Sequence, residues 1–305
     1  MPVTDPPETP RQQRSRHPWV ALLVLAVLAC QSDAATGPGP NADTPAILVG
    51  AGDIAVCGDP ADEATALLLD AIPGTVFTTG DNAYEDGTAQ EFSDCYDPTW
   101  GRHLARTRPS PGNHDYHTQG ASGYYDYFGT SAGDPARGYY SYDLGAWHVI
   151  AINSNIDLSA NSTQLQWLAA DLAAHQTACT AAYWHHPRFS SGAHGNDGGI
   201  KDLWQVLYDA GVDVVMNGHD HNYERFAKQD PAGNADPVRG IREFVVGTGG
   251  RSLRNFPAVA QHSEVRDSDT HGVLQLSLYE TRYEWEFIPV AGGVFQDSGG
   301  ADCHP

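Results

Sequence analysis

The sequence predicts an α/β fold for the part of the chain that begins at about residue 46. From that point, short β-branched runs alternate with segments of helical periodicity, which is typical of α/β domains. The C-terminal third has strand patterns without helices between them, which indicates a mixed sheet or a second sheet packed on the first. The length of 305 residues is sufficient for one large hydrophobic core or two small ones.

The predicted elements follow in chain order. The first strand candidates are rich in β-branched and aromatic residues and span 46–52, 75–79, 147–153, 181–184 and 212–217. Helical periodicity occupies 61–72, 162–176 and 200–211. The second of these helices has Leu165, Leu168 and Leu172 on one face and Ser162 or Asn161 as its cap, and Gly211 ends the third. The tail adds strand candidates at 242–250, 272–280 and 282–290.

The N-terminus has the pattern of an export signal. Three arginines between residues 11 and 16 precede the apolar run 20–29, which is too short to cross a membrane comfortably as a helix. We therefore expect a signal peptide over residues 1–30. Its end, "VLAC", resembles the lipobox of bacterial lipoproteins, in which the cysteine, here Cys30, becomes the lipidated first residue. An ordinary signal peptide cut at a nearby small residue is the alternative.

The residues after the signal predict a linker and then one domain. Residues 31–45 are rich in Gly, Pro and small polar residues, which is typical of a flexible linker. The catalytic domain is then expected to span 46–305. We expect the mature protein to be a cell-envelope lipoprotein, or otherwise to be secreted.

The charge of the chain limits its partners. It has 17 basic and 38 acidic residues, for a formal net charge of −21. Such a charge argues against binding to nucleic acid or to an anionic membrane by surface electrostatics. Membrane contact is expected only through a lipid anchor at Cys30. The charge would also repel a phosphorylated substrate unless positive charge, such as bound metal, is concentrated at the site.

Apart from Cys30, the chain has four cysteines, and in an exported protein these predict disulfides. Four cysteines allow three pairings. We expect Cys57 to pair with Cys95, because both lie in loops that flank one end of the core. Cys179 is then expected to pair with Cys303, which would hold the C-terminal tail in place. No Cys-x-x-Cys spacing occurs, so a thiolate metal site is not expected.

Polar clusters follow several of the apolar runs. In an open α/β sheet, ligands bind at the carboxyl ends of the strands. Carboxylate, amide, imidazole and phenolate groups suit zinc, iron or manganese, and one carboxylate can bridge two ions. Each cluster alone is a weak signal. The clusters are Asp53, Asp81 with Tyr84, Asn113 with His114, His185 with His186, and His219 with His221.

In this order, "GD" at 52, "GDNAY" at 80, "GNHD" at 112, "HHP" at 185 and "GHDH" at 218 resemble the five blocks of the calcineurin-like metallophosphoesterases. The resemblance implies a four-layer α/β/β/α sandwich of two mixed β-sheets flanked by helices. The first block of that superfamily usually reads Asp-x-His, whereas this chain has Ala55 at the histidine position. "GDNAY" resembles the Gly-Asp-x-x-Tyr block of purple acid phosphatases, whose first block usually reads Gly-Asp-x-Gly. The chain thus resembles their catalytic domain without the N-terminal β-domain of the plant enzymes.

The resemblance implies a binuclear metal centre. Fe(III) would be held by Asp53, Tyr84 and His221. Fe, Zn or Mn would be held by the second ligand set, which is Asn113, His185 and His219. Asp81 and a hydroxide would bridge the two ions. His185 is preferred to His186 because the family's ligand stands two residues before the proline.

The resemblance also implies a reaction, the hydrolysis of phosphate monoesters by a metal-bound hydroxide. His114 would protonate the leaving group, with Asp115 orienting its imidazole, and Asn113 would also contact substrate. His194 resembles a histidine that contacts phosphate in purple acid phosphatases, although it also fits a surface loop. Arg188 offers a bidentate phosphate contact, although an arginine at a strand end more often pairs with a carboxylate.

Three further segments are rich in glycine or in aromatic residues. "GTGG" at 247 has no following helix or lysine, so we expect close backbone approach near the metals rather than a nucleotide site. "GYYDYFG" and "GYYSYDLG" are expected to supply core and turn residues around short strands.

The rival enzyme is a zinc or manganese phosphodiesterase or an alkaline-type phosphatase. The rival of another class is a non-catalytic surface binding protein.

Overall fold

The computed structural model describes residues 44–304. The predicted signal peptide, the lipobox at Cys30 and most of the predicted linker lie outside these residues, so their predictions stand untested. Within residues 44–304, no helix combines the length and the apolar character that crossing a membrane requires.

The β-strands in chain order are β1 (Ala46–Ala51), β2 (Ala55–Val56), β3 (Thr75–Thr79), β4 (Ala83–Tyr84), β5 (Thr107–Ser110), β6 (Tyr140–Leu144), β7 (Trp147–Ala151), β8 (Cys179–Tyr183), β9 (Val214–Asn217), β10 (Tyr223–Phe226), β11 (Arg242–Val246), β12 (Ser263–Asp267), β13 (Gly272–Leu278), β14 (Arg282–Pro289) and β15 (Ser298–Asp302). The α-helices are α1 (Ala61–Ala71), α2 (Ala89–Glu91), α3 (Ser122–Phe128), α4 (Thr163–Ala174) and α5 (Lys201–Asp209). A π-helical turn covers Phe92–Tyr96, and 3-10 segments cover Trp100–Arg106, Asp115–His117, Gln119–Ala121, Gly129–Ala132 and Gly198–Ile200.

Two mixed sheets form the inner layers. The first has the strand order β15-β14-β13-β1-β3-β5, and the second has the order β12-β10-β11-β9-β8-β7-β6. In the first sheet, β1, β3 and β5 are parallel and β13 is antiparallel to β1. In the second sheet, β7, β8, β9 and β11 are parallel. The carboxyl ends of several strands in each sheet therefore lie at one edge of that sheet.

Alternating side chains of the second sheet show how the layers pack. Val149 and Ala151 of β7 belong to the larger core cluster, which also contains residues of the first sheet such as Phe77. Ile150 and Ile152 belong to the second cluster, which contains the apolar faces of α4 and α5. Successive strand residues point to opposite faces, so this sheet is buried on both sides. With α1 packed on the first sheet, the predicted α/β/β/α sandwich is confirmed.

Helix α4 shows how local signals set an element's bounds. The Ser162 hydroxyl accepts a hydrogen bond from the Leu165 amide at 3.2 Å, so Ser162, not Asn161, is the cap. Leu165, Leu168 and Leu172 are buried, as their spacing predicts. "GYYDYFG" forms α3 and the start of the 3-10 turn after it rather than flanking a strand, and its Tyr124 and Phe128 are buried, as expected of core residues.

Two disulfides link Cys57 to Cys95 and Cys179 to Cys303, which confirms the predicted pairing. The first joins the segment after β2 to the π-helical turn. The second joins the start of β8 to the residue that follows β15, and it ties the C-terminal end of the first sheet to the second sheet.

Candidate metal centre

The predicted ligands follow strands of both sheets. From the first sheet, Asp53 follows β1, Asp81 follows β3 and Asn113 follows β5. From the second sheet, His185 follows β8 and the last block follows β9. Because these strands are parallel within each sheet, their carboxyl ends meet at one edge of the sandwich. The contacts described below bring the seven predicted ligands together there: Asp53, Asp81, Tyr84, Asn113, His185, His219 and His221.

The Tyr84 hydroxyl is the centre of one half of the site. It lies 2.7 Å from Oδ1 of Asp53, 3.0 Å from Oδ2 of Asp81 and 3.4 Å from Nε2 of His221. All four residues are buried. The other imidazole nitrogen of His221 faces the Ser252 carbonyl at 3.0 Å, which orients Nε2 toward the carboxylates.

His185 is the centre of the other half. Its Nε2 lies 3.0 Å from Oδ1 of Asn113, 3.2 Å from Nδ1 of His219 and 3.3 Å from Oδ2 of Asp81. Its Nδ1 lies 2.8 Å from the Thr79 carbonyl, which can only accept. A proton therefore sits on Nδ1, so Nε2 is the nitrogen that can bind a metal, in place of the second proton that gives the ring its positive charge.

His186 lies beside this cluster and has a different partner. Its Nδ1 is 2.8 Å from the Ser154 hydroxyl, and its ring centroid is 4.5 Å from that of His219. Burial and the positive charge of His185 lower the pKa of His186 to about 3. His185, His186 and His219 offer ring nitrogens within 4.8 Å of one another, so the preference for His185 as the ligand stays a prediction.

The electrostatics of the site fit bound cations. Burial raises the pKa of Asp81, but the charge and hydrogen bond of His185 outweigh it and lower that pKa well below its usual value. Burial and the charges of Asp53 and Asp81 raise the pKa of Tyr84 far above its usual value. A phenolate at this position therefore needs a strong local positive charge, which a metal ion supplies. Asp53, Asp81 and His185 also offer ligand atoms within 4.8 Å of one another.

Three of the predicted ligands have left-handed backbone conformations. The φ angles are 59° at Asp53, 50° at Asp81 and 70° at His219. Residues other than glycine rarely adopt this region, and it is found most often at functional sites. The sharp turns let backbone amides reach the carboxylates: the His219 amide donates to Oδ2 of Asp53, and the His114 amide to Oδ1 of Asp81, each at 2.8 Å.

Glycines let the backbone come close to the carboxylates. A Cβ at Gly112 would lie 2.1 Å from Oδ1 of Asp81, and one at Gly247 would lie 2.7 Å from Oδ2 of Asp53. Neither distance is possible for a real side chain. The prediction of close backbone approach at "GTGG" is therefore confirmed.

His114 lies at the rim, but its predicted partnership with Asp115 is wrong. The Asp115 carboxylate is buried and accepts hydrogen bonds from the Gly112 amide at 2.8 Å and from the Asn82 side chain at 2.9 Å. Burial and the charge of Asp81 raise the pKa of Asp115 to about 7. Nδ1 of His114 instead contacts the Glu85 carbonyl at 2.6 Å. Asp115 thus secures the turn that carries Asn113, and a backbone carbonyl orients His114.

The two predicted substrate contacts differ in their surroundings. The ring of His194 stacks on that of His219, with centroids 3.9 Å apart, and its Nδ1 contacts Asp220 at 2.9 Å. It therefore lies against the predicted ligands. The guanidinium of Arg188 lies over Phe189 and donates to the Asp197 carbonyl at 3.2 Å. Its role as a phosphate contact remains a prediction, since those contacts do not include a predicted ligand.

Sequence reasoning missed several residues that support the site. Buried Glu243 accepts from the Arg188 and Phe189 amides, and buried Glu224 accepts from the amide and hydroxyl of Ser191. Together they hold the loop that leads to His194. Both alternate with apolar strand residues and resemble ordinary outward-facing carboxylates, so no sequence signal distinguishes them.

The fold and the site together define a class of protein. The sequence model of the calcineurin-like phosphoesterase family matches residues 41–223, and the chain belongs to this family. Within the family it is similar to purple acid phosphatases. It is 34% identical to purple acid phosphatase 22 of Arabidopsis thaliana over 151 residues, which are 45% of this chain and 34% of that protein. It is 28% identical to purple acid phosphatase 15 of the same plant over 246 residues, which are 65% of this chain and 45% of that protein.

Solved structures agree with the fold. The purple acid phosphatase PPD1 from yellow lupin seeds matches with a TM-score of 0.72 and 20% identity, over 88% of this chain and 55% of that one. GAP50 of Plasmodium, described as the anchor in the inner membrane complex, matches with a TM-score of 0.64 and 13% identity, over 86% and 90% of the two chains. The chain spans about a third to a half of the length of the curated relatives described above.

Proposed function

We propose that this protein is a binuclear metal-dependent phosphatase that hydrolyses phosphate monoesters. The observation that carries the proposal is the position of the Asp81 carboxylate. One of its oxygens contacts both the Tyr84 hydroxyl at 3.0 Å and Nε2 of His185 at 3.3 Å, so it joins the two halves of the ligand set. A carboxylate with this placement suits a bridge between two cations. The similarity to purple acid phosphatases supports the same reaction.

The proposed ligands divide between two ions. Asp53, Tyr84 and His221 would hold the first, proposed as Fe(III), and the second ligand set would hold Fe, Zn or Mn. Two such cations would lower the pKa of a shared water and would neutralise negative charge on phosphoryl oxygens. The chain's own contribution is to fix the ligands through the turns at Asp53 and Asp81 and to bring His194 against the phosphate.

His114 has the geometry of a proton donor. Its Nδ1 is occupied by the Glu85 carbonyl, so the proton that it can transfer sits on Nε2, 3.9 Å from Oδ2 of Asp81. The side chain is 25% exposed, which leaves it accessible to a leaving group. Donation to the departing oxygen avoids an unfavourable alkoxide.

We expect His114→Asn to lower kcat by about a hundredfold on an alkyl phosphate, because the leaving alkoxide then lacks a proton donor. The loss should be much smaller on p-nitrophenyl phosphate, whose leaving group is stable as an anion. Steady-state kinetics on the two substrates measure the difference. His117→Asn is the matched control, because His117 contacts the same Glu85 carbonyl at 3.1 Å. Equal losses on both substrates would show that His114 is not the donor.

Tyr84→Phe tests the metal assignment. In protein isolated without added metal, a visible absorption band from tyrosinate and Fe(III) is expected, together with iron in the metal analysis. Tyr84→Phe should abolish the band, because it removes the hydroxyl that contacts Asp53 and Asp81. Tyr127→Phe removes a hydroxyl bonded to Asp97 and should leave the band unchanged. A band that survives in Tyr84→Phe contradicts the assignment.

The rival functions predict other results. A phosphodiesterase would turn over aryl diesters as fast as monoesters, and an alkaline-type enzyme would contain zinc or manganese without the visible band. A non-catalytic binding protein would hydrolyse neither ester with any metal. The last possibility has a concrete counterpart, because this fold also occurs in GAP50, which is described as an anchor.

We also propose that the protein is exported. The two disulfides support this, because such bonds persist in oxidising compartments and are rare in the cytosol. Acylation at Cys30 remains part of the proposal. Mass spectrometry of the N-terminus of the mature protein distinguishes a lipidated cysteine from an ordinary cleavage site.

A further inference from the structure

A cationic side chain that the mechanism above does not use lies beside the predicted tyrosine ligand. The guanidinium carbon of Arg251 is 4.7 Å from the centroid of the Tyr84 ring. Nη1 of the same guanidinium forms an ion pair with the Glu85 carboxylate. Arg251 directly follows the glycine-rich "GTGG" turn, which passes close to the predicted ligands.

The backbone of Arg251 is fixed against the candidate metal centre. Its amide donates to the Asp53 carbonyl at 2.8 Å, and its carbonyl lies 3.1 Å from Nε2 of His271. The side chain is 22% exposed. The charge is therefore held near the site by its own backbone and still reaches solvent, which is what binding to a soluble anion requires.

Arg251 lies on the leaving-group side of the site. The Tyr84 ring also packs against His114, with centroids 4.6 Å apart. The Glu85 carbonyl contacts His114, while the Glu85 carboxylate pairs with Arg251. Arg251 and His114 thus share both neighbours. Because a proton donor must contact the departing oxygen, Arg251 is expected to face the group attached to that oxygen.

The pairing with Glu85 leaves Arg251 available to a ligand. The Glu85 side chain is 55% exposed, and an ion pair with such a partner contributes little net free energy in water. An incoming carboxylate or phosphate can contact the guanidinium through two oxygens at once. We infer that Arg251 forms an anion subsite that selects substrates whose leaving group carries its own negative charge. This inference rests on the proposed phosphatase function.

The test compares matched substrates in matched variants. Phosphoglycolate and ethyl phosphate differ by one carboxylate in the leaving group, and pyrophosphate tests a phosphate leaving group. Arg251→Met should lower the ratio of kcat/KM for phosphoglycolate over ethyl phosphate by about tenfold, because it removes the guanidinium and keeps an apolar stem. Glu85→Gln should raise the same ratio, because the competing carboxylate is lost. Arg254→Met is the control, since Arg254 is exposed three residues farther on.

A fall in kcat/KM that is equal for both esters would mean that Arg251 acts only through Tyr84, and it would overturn the inference. If kcat/KM did not change for either ester, that result would also overturn the inference. Comparing pyrophosphate turnover by the wild type with that by Arg251→Met decides whether the subsite accepts phosphate as well as carboxylate.

Calorimetry provides a readout that needs no turnover. The unreactive pair 3-phosphonopropionate and propylphosphonate reproduces the two esters. The wild-type protein should bind the first more tightly, and Arg251→Met should remove that preference. If the wild type hydrolyses no phosphate ester but retains an Arg251-dependent preference in binding, the proposed function is wrong and the subsite remains. If it hydrolyses esters and shows no such preference, only the subsite is wrong.

Discussion

Asp81→Ala should reduce phosphatase activity by at least about a thousandfold, which corresponds to roughly 4 kcal/mol of transition-state stabilisation. The reason is that Asp81 Oδ2 is the atom that contacts both Tyr84 and His185. Removing it takes a ligand from both proposed ions at once. Elemental analysis should therefore show a loss of metal in parallel with the loss of turnover.

The exposed carboxylate of Asp94 provides the control, because its hydrogen bonds are to nearby Gln90 and Ser93. Asp94→Ala should retain full activity and metal content. An Asp81→Ala protein that keeps both metals and a substantial part of its turnover would disprove the bridging role. Circular dichroism should first show that the variant is folded, because Asp81 is buried.

Replacing both Cys179 and Cys303 by alanine should lower the free energy of unfolding by about 5 kcal/mol, because this bond closes a long loop in the unfolded chain. The two cysteines are 124 residues apart, whereas Cys57 and Cys95 are 38 apart. In the chain-entropy model, the Cys57–Cys95 bond should contribute about 1 kcal/mol less than the Cys179–Cys303 bond. Thermal unfolding monitored by calorimetry should show a fall in Tm of roughly 10 °C for the long-loop variant.

The variant Cys57→Ala with Cys95→Ala is the matched comparison, and it should lose less stability. A larger loss there than in the Cys179 and Cys303 variant would show that local packing, not loop closure, determines the contribution of each bond. Neither pair contains a predicted ligand, so the kcat of the folded variants should remain unchanged.

Much of the fold follows from patterns that are local in sequence. Strand β3 has the predicted bounds, because its apolar run lies between turn residues. Strand β15 was missed, because its sequence "SGGAD" has no β-branched residue. It is a strand only through its pairing with β14 along an edge of the sheet. The missed strand β12, "SEVRD", also lies at a sheet edge, where little apolar surface is buried and the sequence signal is weak.

The candidate site shows the same limit. The motif blocks identified the residues that meet at the centre, because ligand types at strand ends are visible in a sequence. The orientation of a side chain is not visible there. Asp115 directly follows His114, but its carboxylate turns inward to Asn82 while the imidazole turns to Glu85. Arg251 was missed because its position over Tyr84 depends on how the "GTGG" turn packs against Asp53.

The left-handed backbone at Asp53, Asp81 and His219 places a cost in conformational stability on three of the proposed metal ligands. Each such residue costs on the order of 1 kcal/mol, a cost that glycine would avoid. A chain with glycine at these positions would lose the proposed metal ligands and would no longer have the backbone strain. Retention of the side chains is therefore favoured only while bound metal or catalysis compensates for the strain. If the protein no longer bound metal or catalysed a reaction, substitutions to glycine at these positions would be retained, and they would give a more stable and inactive protein with the same fold.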